Sequence, residues 1–365
     1  MSNGDAIDFV HEMHEQRVVF GTGSARTQLS DEVHRLMSRR VLLVAAKGQR
    51  ALAEKLTRGL PMVGVVDQVR MHVPIEVAVA ARRQADDLRA DLLLSIGGGS
   101  TLGTAKAVAL TSGLPVLAVP TTYAGSEATP VWGVTDAGRK ATGTDARVLP
   151  RTVVYDPELS VTLPVGLSVA SGLNALAHGV DSQWAPQADP INRALALEGV
   201  RALSAGLRLV HADPADLAGR SQCLYGCYLA ALGFASAGAG LHHKICHVLG
   251  GSWDLPHAET HAVVLPHVLA WNAASAPEAA AAIAAALGTK KALEGLLDLE
   301  DELEAPTSLR ELGLPDSALP EAARLVVEAA PEDNPRPVDA TLAEELLRGA
   351  WLGRTALRGQ RRLAK

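Results

Sequence analysis

Short runs of valine, leucine and isoleucine that close on glycine or a small polar residue, each followed by a helical stretch, fill the first 160 residues and restrict the fold most. Val41-Leu42-Leu43-Val44-Ala45-Ala46 is apolar throughout, as a strand buried on both faces must be. Arg17-Val18-Val19-Phe20, Met62 to Val66, Asp91 to Ile96 and Leu114 to Val119 are further strand candidates. Between them, Ile75 to Arg89 and Thr101 to Leu110 carry helical periodicity, and Ser30-Asp31-Glu32 reads as a helix start. A further strand pair is expected between Arg139 and Asp156, with Thr152 to Tyr155 its clearest member. Such alternation predicts a mostly parallel, Rossmann-like sheet whose ligand lies along the carboxyl ends of the strands.

From Leu163 the strand-like runs vanish and Ala/Leu-rich helical periodicity continues to the end. Pro190-Ile191-Asn192, Asp213-Pro214 and Ala276-Pro277 read as helix starts. The chain is therefore read as an α/β nucleotide-binding domain over residues 1–162 and an all-helical substrate domain over 163–365, a division its length supports. Aromatic residues are only 3%, so the core must be built from Ala, Leu and Val. A formal charge of −6 without a long Lys/Arg block excludes nucleic acid and anionic membrane as partners. Arg358, Arg361, Arg362 and Lys365 are read as a solvated basic terminus. The opening MSNGDAIDFVHE has no signal-peptide pattern, no run reads as a membrane span, and Cys223, Cys227 and Cys246 lack zinc-ribbon spacing. A reduced, cytoplasmic protein is expected, with Cys223 and Cys227 as small apolar residues on one helical face.

Two loops at strand ends carry nucleotide chemistry. In Ile96-Gly97-Gly98-Gly99-Ser100 three glycines let the backbone approach a phosphate, and the helix that follows offers free N–H groups and a positive dipole end. Ser100 is expected to cap that helix and to donate to the same anion. Thr121, Thr122 and Ser126, in Thr121 to Glu127, form the second loop. Where a Rossmann-like binder holds a carboxylate against the ribose 2′-hydroxyl, this chain has Ala45, Ala46 and Lys47, so NADPH is accepted beside NADH.

The stretch from Gly238 to His267 holds six of the twelve histidines. His243 and His247 are four apart and share a helical face. His257 follows after a Gly250-Gly251 break and the turn-like Asp254-Leu255-Pro256, and His261 lies one helical turn beyond. Imidazoles at this density on an apolar scaffold point to a metal site, an acid–base site, or both.

These segments together resemble the iron-containing (group III) alcohol dehydrogenase superfamily, through GTGS, SIGGGSTLGTAKA, PTTYAGSEATPVWGVTD and the histidine-rich stretch. Within it the chain is similar to the maleylacetate reductases, through YAGSE, HHKICHVLGG with DLPHAETH, and Asn334-Pro335-Arg336-Pro337-Val338. The resemblance implies an α/β domain, a helical domain, a cleft between them, NADH or NADPH as cofactor, and a homodimer. It implies reduction of the carbon–carbon double bond of maleylacetate, a dicarboxylate, to 3-oxoadipate in aromatic-compound degradation. Metal-dependent relatives bind Fe²⁺ or Zn²⁺ through an Asp and three His, and those positions fall on Asn174, His178, His243 and His257. Asn174 is neutral, so the resemblance implies a degenerate metal site and metal-independent chemistry. It also implies that His243 or His247 donates a proton while His178, His257 and Asn174 orient the substrate. Lys140 and Lys244 are candidate cations, Lys140 beside the nucleotide loops. A metal-dependent alcohol or lactaldehyde-type dehydrogenase and a dehydroquinate-synthase-like lyase are the competing readings.

If Lys47 and the missing carboxylate set cofactor choice, kcat/KM with NADPH will lie within about a thousandfold of that with NADH; a larger preference for NADH in steady-state assays would refute it.

Overall fold

The strands form where both faces can be covered. Val41 to Val44 and Leu92 to Gly97 are buried at every position, which only the interior of a sheet with helices on both sides provides. The computed structural model describes residues 7–136 and 139–358, without the side chains of Arg139 and Lys140. In chain order the strands are β1 (Arg17–Phe20), β2 (Val41–Val44), β3 (Met62–Val66), β4 (Leu92–Gly97), β5 (Val116–Pro120), β6 (Val131–Asp136), β7 (Arg139–Thr144) and β8 (Thr152–Tyr155). Six of them make one parallel sheet in the order β1-β8-β5-β4-β2-β3. The register sets Val44 beside Ser95 and Gly97 beside Pro120. Residues 46–47, 98–100 and 121–123 therefore emerge side by side from the carboxyl ends of three neighbouring strands.

The strand pair expected between Arg139 and Asp156 is divided. Thr152–Tyr155 enters the main sheet, whereas Arg139–Thr144 folds back on Val131–Asp136 as a separate antiparallel hairpin. The ring of Trp132 lies across Gly143, where a Cβ would come within 2.8 Å of it. The hairpin is only partly buried, so it lacks the apolar run that marks the sheet strands.

We label the helices of ten residues or more. α1 (Ile75–Asp87) and α2 (Gly99–Ser112) pack in the sheet region. The helical part comprises α3 (Val165–Asp181), α4 (Pro190–Ala212), α5 (Leu217–Ala237), α6 (Leu241–Trp253), α7 (His257–Ala273), α8 (Pro277–Ala286), α9 (Ala292–Glu302), α10 (Leu319–Ala329) and α11 (Ala340–Leu352). Among the described residues no strand follows Tyr155. α4 begins as read, at Pro190, with Asp189 and Asn192 forming a reciprocal cap. α5 starts three residues beyond Asp213-Pro214, because Asp216 supplies the cap by accepting from the Gly219 N–H at 2.8 Å. With so few aromatics, helices must approach closely: a Cβ on Gly199 of α4 would lie 2.6 Å from the Ala230 nitrogen of α5. Gly250 and Gly251 do not break the chain, for α6 continues to Trp253 and ends at Asp254 in the left-handed region (φ 52°). Among the described residues no single helix is long and apolar enough to cross a membrane.

Arg220 of α5 is fully buried and has no carboxylate within its hydrogen bonds. Its guanidinium donates to the Tyr123 hydroxyl at 2.8 Å, to Ser168 Oγ at 2.7 Å, and to the carbonyls of Leu163 and Pro214. It thus pins the second strand-end loop to the first turns of the helical part. Arg220→Met would leave these buried acceptors unpaired, and denaturant unfolding should show a loss of about 3 kcal/mol or more; a loss under ~1 kcal/mol would contradict the role.

Candidate active site

β4 runs into α2 through a cradle that only glycine permits. Gly97 has φ +152°, and a Cβ there would lie 2.5 Å from Thr101 Oγ1. A Cβ on Gly98 would lie 2.9 Å from Thr122 Cγ2, and one on Gly99 3.2 Å from Ala124 Cβ. The turn at Gly97 starts the helix at Gly99 with Gly98 as its N-cap. Ser100 therefore sits inside the first turn and does not cap it, which corrects the sequence reading. The free N–H groups and positive end of α2 face the strand ends, beside a crevice lined by Gly97, Gly98, Gly99 and Thr122. Thr121 is buried, and Ser126 keeps a buried hydroxyl without a partner. Lys47 is exposed just past the end of β2. The side chain of Lys140 lies outside the described residues. These groups fit a dinucleotide: a backbone cradle for its phosphates, with one lysine at the adjoining strand end.

The second loop is held from below. Lys106 of α2 is buried and its Nζ donates to the carbonyls of Ser126, Thr129 and Val131 at 2.6, 2.7 and 2.8 Å. Burial pushes this amine down to about 7, while the Glu127 carboxylate opposes the shift. Glu127 in turn accepts from the Tyr155 hydroxyl at 2.8 Å. From above, the loop touches α3: the Tyr123 N–H donates to Ser171 Oγ at 3.1 Å, and Asn174 Nδ2 lies 3.5 Å from the Ala124 carbonyl. Gly125, with φ +73°, brings its backbone so near His178 that a Cβ would stand 3.2 Å from the ring. One loop is therefore a wall shared by the glycine cradle and the histidines.

Asn174, His178 and Asp181 recur four and three residues apart, on one face of α3. α5 and α6 meet at 97°, with Gly238 at φ +84° beside the bend, and this aims the start of α6 at Asp181. A Cβ on Gly240 would lie 2.5 Å from Asp181 Oδ1. The Asp181 carboxylate accepts from His243 Nδ1 at 2.8 Å, from the His242 and His243 N–H groups at 3.4 and 3.3 Å, and from Trp184 Nε1 at 3.3 Å. Burial pushes the carboxyl upward, and the donors around it pull it back. With Nδ1 committed to Asp181, His243 Nε2 is the free nitrogen; it is buried and has no partner.

Around His243 stand the other rings. His178 stacks on it at 4.9 Å with planes 11° apart, and Phe234 lies 4.2 Å away. His242 and His261 are 5.1 and 4.9 Å distant, and His247 6.3 Å. His257 is 4.5 Å from His261 and 6.5 Å from His247. Burial drives the imidazoles of His178, His242, His243 and His261 well below their usual range, and mutual repulsion adds to it. These four imidazoles favour their neutral form in the resting protein. An anion entering the cluster would raise those proton affinities again.

The four positions that metal-dependent relatives use supply an amide and three imidazoles, with no negative charge. Asp181, the carboxylate at the cluster, is already occupied by His243 and the start of α6. This donor set does not fit an aspartate-plus-three-histidine metal site. Asp181 escaped the sequence reading, although its spacing of three from His178 and seven from Asn174 marks the same face. His242 and His261 were in view as sequence but not assigned to the site. Asn334 forms a reciprocal amide pair with Asn272 of α7 at 3.1 and 2.9 Å, and Arg336 lies 3.6 Å over Trp271, so that motif braces the helix carrying His257 and His261.

Residues 15–157 match the profile of the iron-containing alcohol dehydrogenases, and residues 168–351 match that of the C-terminal region of the Fe-containing alcohol dehydrogenase family. The maleylacetate reductase of Burkholderia cepacia is 48% identical over 347 residues, or 94% of this chain and 98% of that one. Among solved structures, the iron-containing alcohol dehydrogenase of Corynebacterium glutamicum superposes with a TM-score of 0.93 at 52% identity, covering 95% of this chain and 98% of that one. The maleylacetate reductase of Agrobacterium tumefaciens gives 0.90 at 41%, covering 95% and 99%.

The buried neutral histidines fix a pH dependence. His178, His242, His243, His261 and His267 all take up protons less readily folded than at their ordinary 6.5. Below about pH 6.5 the unfolded chain therefore binds protons that the folded chain does not, and stability falls as pH drops, by up to about 1.4 kcal/mol per pH unit per histidine. Unfolding midpoints should fall steeply between pH 7 and 5.5; a flat profile would show that these histidines take up protons as readily in the fold as in the unfolded chain.

Proposed function

The chain belongs to the iron-containing alcohol dehydrogenase family and is an oxidoreductase; from that premise we propose that it is a maleylacetate reductase, reducing the substrate's carbon–carbon double bond without a metal. Support comes from relatives of that name at 48% and 44% identity. The observation that carries the metal-free part is Asn174 at the anionic ligand position, beside a His243 whose Nδ1 is held by Asp181 and whose Nε2 is unpartnered.

The glycine cradle, with Thr122, Ser126 and Lys47, would hold the dinucleotide, and its reduced nicotinamide supplies the hydride when bound. The substrate is a dianion with a ketone conjugated to the double bond. Its charge favours protonation of His243 at Nε2, and Asp181 stabilises the resulting imidazolium through Nδ1. Hydride addition to the double bond produces an enolate. His243 hydrogen-bonds and then protonates that enolate at carbon, with His247 as the alternative donor. Asn174, His178 and His257 orient the carboxylates and keto oxygen. One hydride and one proton are consumed, giving 3-oxoadipate. Neutral resting imidazoles suit this role, because the charge that activates them arrives with the substrate. The same reading makes the protein a homodimer acting in aromatic-compound degradation.

Chelator-treated protein should oxidise NADH or NADPH on addition of maleylacetate. His243→Ala should lower kcat by about a hundredfold or more while the cofactor Kd changes less than about threefold. Activity that appears only with Fe²⁺ or Zn²⁺ would overturn the metal-free reading in favour of a metal-dependent dehydrogenase; an unchanged kcat would remove His243 from the mechanism.

A further inference from the structure

Beside His243 and His257 lies a second group of donors that the proposed reaction does not use. His242 and Cys246 are four residues apart on α6 and so share one face, and His261 reaches them from the first turns of α7. All three are buried. One nitrogen from each ring and the Cys246 sulfur lie within 4.8 Å of one another. His242 Nε2 and His261 Nδ1 are 2.8 Å apart, and Cys246 Sγ is 3.7 Å from His242 Nε2. Ligand atoms around a tetrahedral zinc ion stand roughly 3.3–3.7 Å apart. The sulfur is already at that spacing from His242, and the imidazoles need to part by about half an ångström. Each ring also keeps a second buried nitrogen without a partner, His242 Nδ1 and His261 Nε2, so the 2.8 Å contact leaves the pair short of hydrogen bonds.

The geometry points to a cation site formed by His242, Cys246 and His261, selective for a soft or borderline divalent ion such as Zn²⁺ or Co²⁺. The donors are two imidazoles and a sulfur, a set that favours such ions over Mg²⁺ or Ca²⁺. Binding breaks the His242–His261 hydrogen bond and shifts the donor ring's hydrogen to its second nitrogen, breaks the Cys246 S–H bond, forms two metal–nitrogen bonds and one metal–sulfur bond, and releases one proton to solvent with no change of oxidation state. The net positive charge left on the ion is faced by Asp181, whose carboxylate bonds the His242 and His243 N–H groups. Three protein ligands leave one position open, as in zinc sites that are not closed structural ones. The site shares no residue with Asn174, His178, His243 and His257, and its existence does not depend on which substrate the enzyme reduces.

The test is a Co²⁺ titration of the chelator-treated full-length protein, followed by absorbance. One equivalent should bind and produce a near-ultraviolet thiolate-to-cobalt band. Cys246→Ser should abolish the band and weaken binding at least tenfold, His261→Asn should weaken it similarly, and Cys227→Ala should leave the band intact. If Cys246→Ser fails to fold, cobalt-edge X-ray absorption of the unaltered protein decides, with one sulfur scatterer expected among nitrogen and oxygen. No binding below about 0.1 mM, a shell of nitrogen and oxygen alone, or a band that survives in Cys246→Ser would overturn the site.

Discussion

The buried carboxylate of Asp181, at the end of α3 and bonded to the first turn of α6, sets the geometry on which the rest of the site depends. It neutralises the positive end of a helix, fixes the hydrogen on His243 Nδ1 and leaves Nε2 buried without a partner. The contact demands that Gly240 have no side chain and that α5 and α6 bend sharply beside Gly238. A carboxylate removed from water is costly unless it is fully hydrogen-bonded, and four N–H donors meet that requirement. One ion-dipole contact thus gathers α3 and α6 around a common point.

The same economy joins cofactor loop to histidines. The segment from Thr121 to Glu127 is gripped beneath by Lys106, at its side by Arg220 through Tyr123, and above by α3 through Ser171 and Asn174. Both basic residues are buried and spend their donors largely on backbone carbonyls and hydroxyls. A loop so held is rigid on both faces. The strand ends and the imidazoles consequently share this loop as a common wall.

Much of this was legible beforehand because it rests on local chemistry. The sheet strands announce themselves as apolar runs, the cradle as three glycines, and the histidine stretch as a density no core needs. What escaped was non-local or partly exposed. The Val131–Asp136 hairpin has too little burial to leave an apolar run, and Ser100 looked like a cap because Gly97's backbone conformation is invisible in sequence. Nothing in the neighbourhood of Lys106 and Arg220 along the chain reveals the carbonyls that bury them.

The sequence alone determined the order of sheet and helices, the glycine-rich and polar make-up of the two strand-end loops, and the neutral amide at Asn174, because each depends on residue type and spacing along one element. Only the tertiary structure decided which histidine is held by a carboxylate, which nitrogen it exposes, and that His242, Cys246 and His261 converge. Those facts depend on the angle between α5 and α6 and on the register of α3 against them. Such angles are set by close packing of small side chains and glycines, whose contacts are spread over residues far apart in the chain.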